Sequence, residues 1–222
     1  MATKQPDIGS QSWRTKPTDR FILRWIKLNL ASPLTLLLVR CRWLRPWMIS
    51  LMAVTTGLVA GVIFARGYGL AAGLIAAVAQ ILDGVDGQLA RLTGTSSRGG
   101  AFWDSVLDRY ADGALMIGMI LYLSQQPPLL PSWLLYLTGA AALLGCNLIS
   151  YSTARADGLD LDLGAPTLAS KGTRTAAIIL CALCSPLWYN LPWVALIYLA
   201  IHSNWVVLLR LYRTKKSFHR PL

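Results

Sequence analysis

Apolar runs of about twenty residues, the length at which a helix crosses the hydrocarbon core of a bilayer, recur along this chain. They constrain its fold more than any other feature. Residues 46–65, 68–91, 100–124, 132–154, 174–189 and 192–211 each read as such a run. A soluble core in a chain of 222 residues has no use for six of them. The sequence therefore predicts an all-α integral membrane protein with six transmembrane helices. Turn chemistry separates the spans: "ARGYG" after the first, "SQQPPLLPS" after the third and "NLP" after the fifth. The fifth run is short, and Pro186 is expected to end it early.

Before the spans lies "DRFILRWIKLNLASPLTLLLVRCRWLR", whose apolar runs are too short to cross and are interrupted by Arg, Lys and Trp. That pattern fits an amphipathic helix lying in the membrane interface, with a simple positive flank of the first span as the alternative. The expected organisation is a polar tail over 1–18, a juxtamembrane amphipathic segment over 19–45, a six-helix domain over 46–211 and a basic cytoplasmic tail over 212–222. Residues 1–20 are polar and predict no cleavable signal peptide.

Charge sets the expected orientation. The chain carries 21 Lys and Arg against 10 acids, all of them Asp. A pI near 9.9 is compatible with nucleic-acid binding, but the basic residues are not gathered on a soluble module. They sit beside the apolar spans. With a cytoplasmic N-terminus, all but Arg66 of the 21 fall on the cytoplasmic side, as the positive-inside bias requires. Both termini are thus expected in the cytoplasm, at the cell (inner) membrane, with anionic lipid as a favoured neighbour and no nucleic-acid partner.

Against this background the stretch "DGVDGQLARLTGTSSRGGAFWDSVLD" carries four carboxylates, Asp83, Asp86, Asp104 and Asp108, at the cytoplasmic ends of the second and third spans. Asp83 and Asp86 are three apart and Asp104 and Asp108 four apart, so each pair occupies one helix face. Two antiparallel helices joined by a short loop can aim all four at one point. Solvated helix ends do not account for Asp83 and Asp104, which lie well inside their runs, and Arg91 and Arg109 cannot neutralise four acids. Hard divalent cations such as Mg²⁺ or Mn²⁺ fit an all-oxygen donor set. Small residues at Gly87, Ala90 and Gly100 leave room for a ligand or a neighbouring backbone, and Arg91 is placed to meet a phosphate. A cation-transport path is the alternative from a different class. Transporter carboxylates, however, gather near the membrane midplane, whereas these lie at one face.

The spacing D-x-x-D-G-x-x-A-R-x₈-G-x₃-D-x₃-D, unbroken from Asp83 to Asp108, resembles the signature of the CDP-alcohol phosphotransferases. The resemblance implies transfer of a substituted phosphoryl group from a CDP-alcohol to an alcohol acceptor with release of CMP. It implies a two-metal site held by Asp83, Asp86, Asp104 and Asp108, a CDP contact surface at Gly87, Ala90, Arg91 and Gly100, and Asp108 as the base for the acceptor hydroxyl. It also implies a homodimer, to which the small residues of "GLAAGLIAAVAQ" are suited if they do not pack neighbouring helices instead. One position departs: Trp47 follows Pro46 where many relatives have Asn.

The second informative stretch is "SYSTARADGLDLDLGAPTLASKGTR". Arg155 at the end of the fourth span, with Lys171 and Arg174 at the start of the fifth, could clamp a phosphate on the acceptor, although each also reads as positive-inside anchoring. The wording "DSVLDRYADG" and "SY-x-x-ARA" resembles the inositol-phosphate-using branch of the family. Its implied partners are CDP-diacylglycerol as donor and a polyol phosphate, first of all inositol phosphate, as acceptor. Glycerol 3-phosphate and a soluble CDP-inositol donor are the alternatives, because K-x-x-R stands where relatives often have R-x-x-R. Cys41, Cys146, Cys181 and Cys184, and His202 and His219, have no metal-ligand spacing.

Overall fold

The structure, a computed structural model, describes residues 13–15, 21–41, 43–163 and 170–215. The expected terminal tails fall mostly outside these. All regular structure among the described residues is helical. A short helix α1 (Phe21–Ile26) runs through a π-helical turn (Lys27–Ala31) into α2 (Ser32–Leu38). Then follow α3 (Pro46–Ala65), α4 (Gly69–Leu92), α5 (Arg98–Ser124), α6 (Ser132–Asp157), α7 (Lys171–Leu183) and α8 (Pro192–Thr214).

Local chemistry explains the ends. Arg45 is extended and Pro46 opens α3, where a missing N–H costs nothing. Gly67, at φ 91°, turns the chain out of α3. Gly94, at φ 67°, does the same after α4. Ser97 then caps α5 by accepting the Gly100 N–H at 3.0 Å.

Four helices, α3, α4, α6 and α8, are long and apolar enough to cross a membrane, so the chain is an integral membrane protein. The other two expected spans look different. Helix α5 has 27 residues, but its stretch from Arg98 to Asp112 carries Arg98, Asp104, Asp108, Arg109 and Asp112. Helix α7 has 13 residues and stops at Leu183, three before Pro186, because the residue preceding a proline is pushed out of helical geometry. At 1.5 Å per residue it is roughly 20 Å long, about two-thirds of the hydrocarbon thickness.

Helix α3 packs on both α4 and α5, α6 on α8, and α7 on α4. The α3–α5 crossing is close enough to exclude side chains. A Cβ on Gly61 would lie 2.5 Å from the Ala114 carbonyl oxygen, and one on Gly118 would collide with Gly61. The small residues Ala72, Gly73 and Ala76 of α4 are buried within the chain itself, with Gly73 against Leu183. The main apolar core gathers Phe64, Met119, Leu196 and Leu199, toward the end of the bundle away from the aspartates. A smaller cluster of Ala31, Ile49, Val85 and Leu89 seats the juxtamembrane segment at the aspartate end. One end of the bundle is thus closed by packing and the other is polar.

Candidate functional site

The last turns of α4 and the first turns of α5 run antiparallel across the short 93–97 connection, and this brings their carboxylates together. Oxygens of Asp83, Asp104 and Asp108 all lie within 4.8 Å of one another. Asp86 takes a different place. It is only 4% exposed, and its Oδ2 accepts the Ser50 hydroxyl of α3 at 2.6 Å while Oδ1 accepts the Gly87 N–H. It lies one turn from Asp83 on the same face of α4, so it belongs to the same site but is more deeply buried.

Lys171 sits in the middle of this group. Its Nζ is 2.6 Å from Asp83 Oδ1 and 2.5 Å from Asp108 Oδ1. The sequence placed Lys171 among acceptor-binding cations; in the structure the first residue of α7 reaches into the aspartates. Gln80 Nε2 adds a long contact of 3.4 Å to Asp83 Oδ2. A cavity of about 40 Å³ adjoins Asp83, Asp108 and Lys171, walled by Ala53, Gly57 and Ala111. It has room for a few waters or an ion and is too small for a nucleotide.

The donor set fits divalent metal. It consists of carboxylate oxygens alone, converging from two rigid helices at a spacing that octahedral coordination can use. The Lys171 ammonium lodged between two of them shows that the cluster takes a positive charge at its centre.

Around the cluster, Gly87 and Ala90 are half-buried on α4. The Arg91 guanidinium lies over Gly87, with Nη1 3.3 Å from the place a Cβ would occupy. Its Nε donates to the Trp13 carbonyl at 2.9 Å. Gly100 is exposed in the first turn of α5.

The three expected acceptor-side cations part company. Arg155 is exposed in the last turn of α6, one turn beyond the exposed Tyr151. Arg174 is buried, 5% exposed, and donates to the Cys146 carbonyl at 2.6 Å. Two arginines that the sequence reading did not assign to the acceptor side join it along the same stretch of α6. Arg109 of α5 donates to Ser150 Oγ, and Arg210 of α8 donates to the Ile149 carbonyl, Ser152 and Thr153. The signal for Arg210 was a lone cation in an otherwise apolar run, which a positive-inside reading absorbs too readily.

The comparisons with known proteins bear on this arrangement. An archaetidylinositol phosphate synthase of Pyrococcus horikoshii is 33% identical over 147 residues, covering 65% of this chain and 70% of that protein. A bifunctional IPC transferase and DIPP synthase of Thermococcus kodakarensis is 40% identical over 84 residues; the match covers 38% of this chain but only 18% of that longer protein. The phosphatidylinositol phosphate synthase of Mycobacterium tuberculosis shares the fold. Its crystal structure with manganese and citrate superposes with a TM-score of 0.75 at 22% identity, covering 87% of this chain and 94% of that one. The same synthase with CDP-DAG bound gives 0.72 at 23%, covering 82% and 92%. The family model described as CDP-alcohol phosphatidyltransferase matches residues 43–209, a range that takes in all four aspartates and the helices that converge them. Motif, helix geometry and family model coincide on the same residues, and this chain belongs to the CDP-alcohol phosphatidyltransferase family.

Proposed function

We propose that this chain transfers a phosphatidyl group from CDP-diacylglycerol to inositol phosphate, with release of CMP. The observation that carries the reading is the convergence of Asp83, Asp104 and Asp108, two of them paired with Lys171, at the polar end of a membrane bundle. The names of the relatives support the inositol phosphate branch, and the CDP-DAG held by the mycobacterial synthase supports a lipid donor.

The chain's residues divide the work as follows. Asp83, Asp86, Asp104 and Asp108 hold two Mg²⁺ or Mn²⁺ ions, a choice supported by manganese in the mycobacterial structure. Bound there, the metals neutralise the donor diphosphate and stabilise CMP as leaving group. Ser50 orients the buried Asp86. Gly87, Ala90 and Gly100 keep the approach to the diphosphate open, and Arg91 meets its charge. The acceptor hydroxyl oxygen forms a bond to the phosphorus that carries diacylglycerol. The bond from that phosphorus to the CMP oxygen breaks, and the hydroxyl proton passes to Asp108. Lys171 then releases Asp108 and, with the exposed Arg155, meets the acceptor phosphate, whose side of the site Arg174 supports from its buried bond to the Cys146 carbonyl.

The same reading has α5 and α7 crossing the bilayer with the other four helices, giving six spans. It places α1 and α2 in the interface, where exposed Trp25, Leu30 and Leu37 suit lipid contact. The aspartate end and both termini face the cytoplasm at the cell membrane, in keeping with the distribution of basic residues. The active unit is a homodimer, which cross-linking in native membranes tests directly.

Purified protein with radiolabelled CDP-diacylglycerol and Mn²⁺, offered inositol phosphate, inositol, glycerol 3-phosphate and serine separately, tests the reaction. Lipid product and CMP are expected with inositol phosphate. Product with glycerol 3-phosphate alone reassigns the acceptor, and no CMP with any acceptor sinks the lipid-donor reading.

A further inference from the structure

Gln88 stands inside the D-x-x-D-G-x-x-A-R stretch at a place with no role in the reading above. It is fully buried, and its amide is saturated by groups far away in the chain. Nε2 donates to the carbonyls of Lys27 at 2.9 Å and Arg14 at 2.8 Å, and shares Ser32 Oγ at 3.1 Å. Oε1 accepts the Thr35 hydroxyl at 2.8 Å. A buried amide satisfied on both ends fixes the geometry of what it touches, since leaving either end unmade is costly in a low dielectric.

What it touches is unusual. Lys27 opens the π-helical turn, and its carbonyl also accepts the Ser32 N–H and, at 2.7 Å, the Ser32 hydroxyl. Such turns are rare and concentrate at functional sites. The Lys27 side chain is buried, with Cγ 3.5 Å from where a Cβ on Gly84, the residue after Asp83, would stand. On the other flank, the carbonyl next to Arg14's, that of Trp13, receives Arg91 Nε at 2.9 Å. One side chain therefore holds the two backbone segments that place Lys27 against Gly84 and Arg91 over Gly87.

We propose that Gln88 is a positioning residue for the donor diphosphate, holding the Lys27 and Arg91 cations against Gly84 and Gly87, one turn apart on α4, through the Lys27 and Trp13–Arg14 carbonyls. The proposal rests on the CDP donor of the preceding section. Gln88 itself touches no reacting atom. Its effect is to fix two positive charges beside the helix face where an anionic ligand arrives over Gly87, with Lys27 packed behind Gly84, and so to act on donor binding rather than on acceptor use.

The test compares wild type, Gln88→Leu and Lys27→Met in detergent, by calorimetric titration of CDP with Mn²⁺ present and by steady-state kinetics. Gln88→Leu is expected to weaken CDP binding and raise donor KM about tenfold, leaving acceptor KM within about twofold, the pattern of lost ground-state binding. Lys27→Met keeps the carbonyl that Gln88 holds and removes only the charge, so it carries the test if Gln88→Leu does not fold; the same split is expected. CDP binding by wild type that is unchanged in the variants overturns the positioning role alone. Loss of kcat or of thermal stability without the donor KM effect overturns it too. A wild type that does not bind CDP removes the donor reading and this proposal together.

Discussion

Lys171, the first residue of α7, places its Nζ 2.5 Å from Asp108 Oδ1 and thereby ties the shortest helix of the bundle to the aspartate that the proposed mechanism uses as base. The same ammonium is 2.6 Å from Asp83. A divalent ion drawn to these carboxylates competes with a cation already there. Lys171→Met removes the competitor, and half-saturation by Mn²⁺, read by electron paramagnetic resonance, is expected at several-fold lower concentration. Acceptor use should fall at the same time. Weaker Mn²⁺ binding in Lys171→Met contradicts the competition.

Asp83→Asn and Asp104→Asn each remove one of the three converging carboxylates while keeping side-chain volume. Both are expected to cut CMP release more than about a hundredfold, since even outer partners of a metal site are worth ten- to hundredfold. Thermal unfolding in detergent should stay near wild type. Full activity in either variant rejects the metal assignment.

The bond from Ser50 to Asp86 links α3 to the deepest carboxylate at 2.6 Å. Ser50→Ala leaves Asp86 with the Gly87 N–H and without its cross-helix partner. Activity or Mn²⁺ affinity is expected to fall roughly ten- to hundredfold, as for other residues that orient a metal ligand. Ser50→Thr, which keeps the hydroxyl, should recover most of it. Equal loss in both variants would point to packing rather than orientation.

These predictions draw on features of unequal legibility. Helix α3 runs from Pro46 to Ala65, the bounds of the first apolar run, because that signal is local. The aspartate pairs were legible for the same reason: spacings of three and four residues state a helix face without reference to anything distant. Lys171 and Arg174 were not. Their spacing fitted a shared clamp, yet one enters the aspartates and the other is buried at Cys146. Only the docking of α7 on α4 and the nearness of α6 decide between those fates. Gln88 was silent for a related reason, since its partners lie at Arg14, Lys27, Ser32 and Thr35. A polar residue in an apolar run announces a partner without saying where it lies.

Gly118 and Gly61 set how closely α5 approaches α3, and α5 carries Asp104 and Asp108. Gly118→Val pushes backbone against backbone, which no rotamer change relieves. A loss of about 1–3 kcal/mol is expected from overpacking, seen as a lower midpoint in thermal unfolding. Because the crossing lies beyond Asp108 along α5, misplacement of both aspartates should also weaken Mn²⁺ binding. A variant as stable as wild type contradicts the close crossing.

Arg155 and Arg174 share a charge and a predicted role but differ in burial, and this separates their expected phenotypes. Arg155 is exposed at the end of α6, where removing it leaves no packing defect. Arg155→Ala should raise the KM for a phosphorylated acceptor about tenfold, on the scale of one lost charge-assisted hydrogen bond, with CDP binding unchanged. Arg174 is 5% exposed and bonded to the Cys146 carbonyl between two helices. Arg174→Ala removes a charge-assisted hydrogen bond that ties α7 to α6, at a cost of about 1.5–3 kcal/mol, so thermal stability should fall along with acceptor use. Titrating acceptor and CDP separately against both variants, alongside their unfolding midpoints, distinguishes the two. An Arg155→Ala protein that loses CDP and acceptor binding equally has no acceptor-specific role at that position. An Arg174→Ala protein with full stability and normal acceptor KM removes Arg174 from the site altogether.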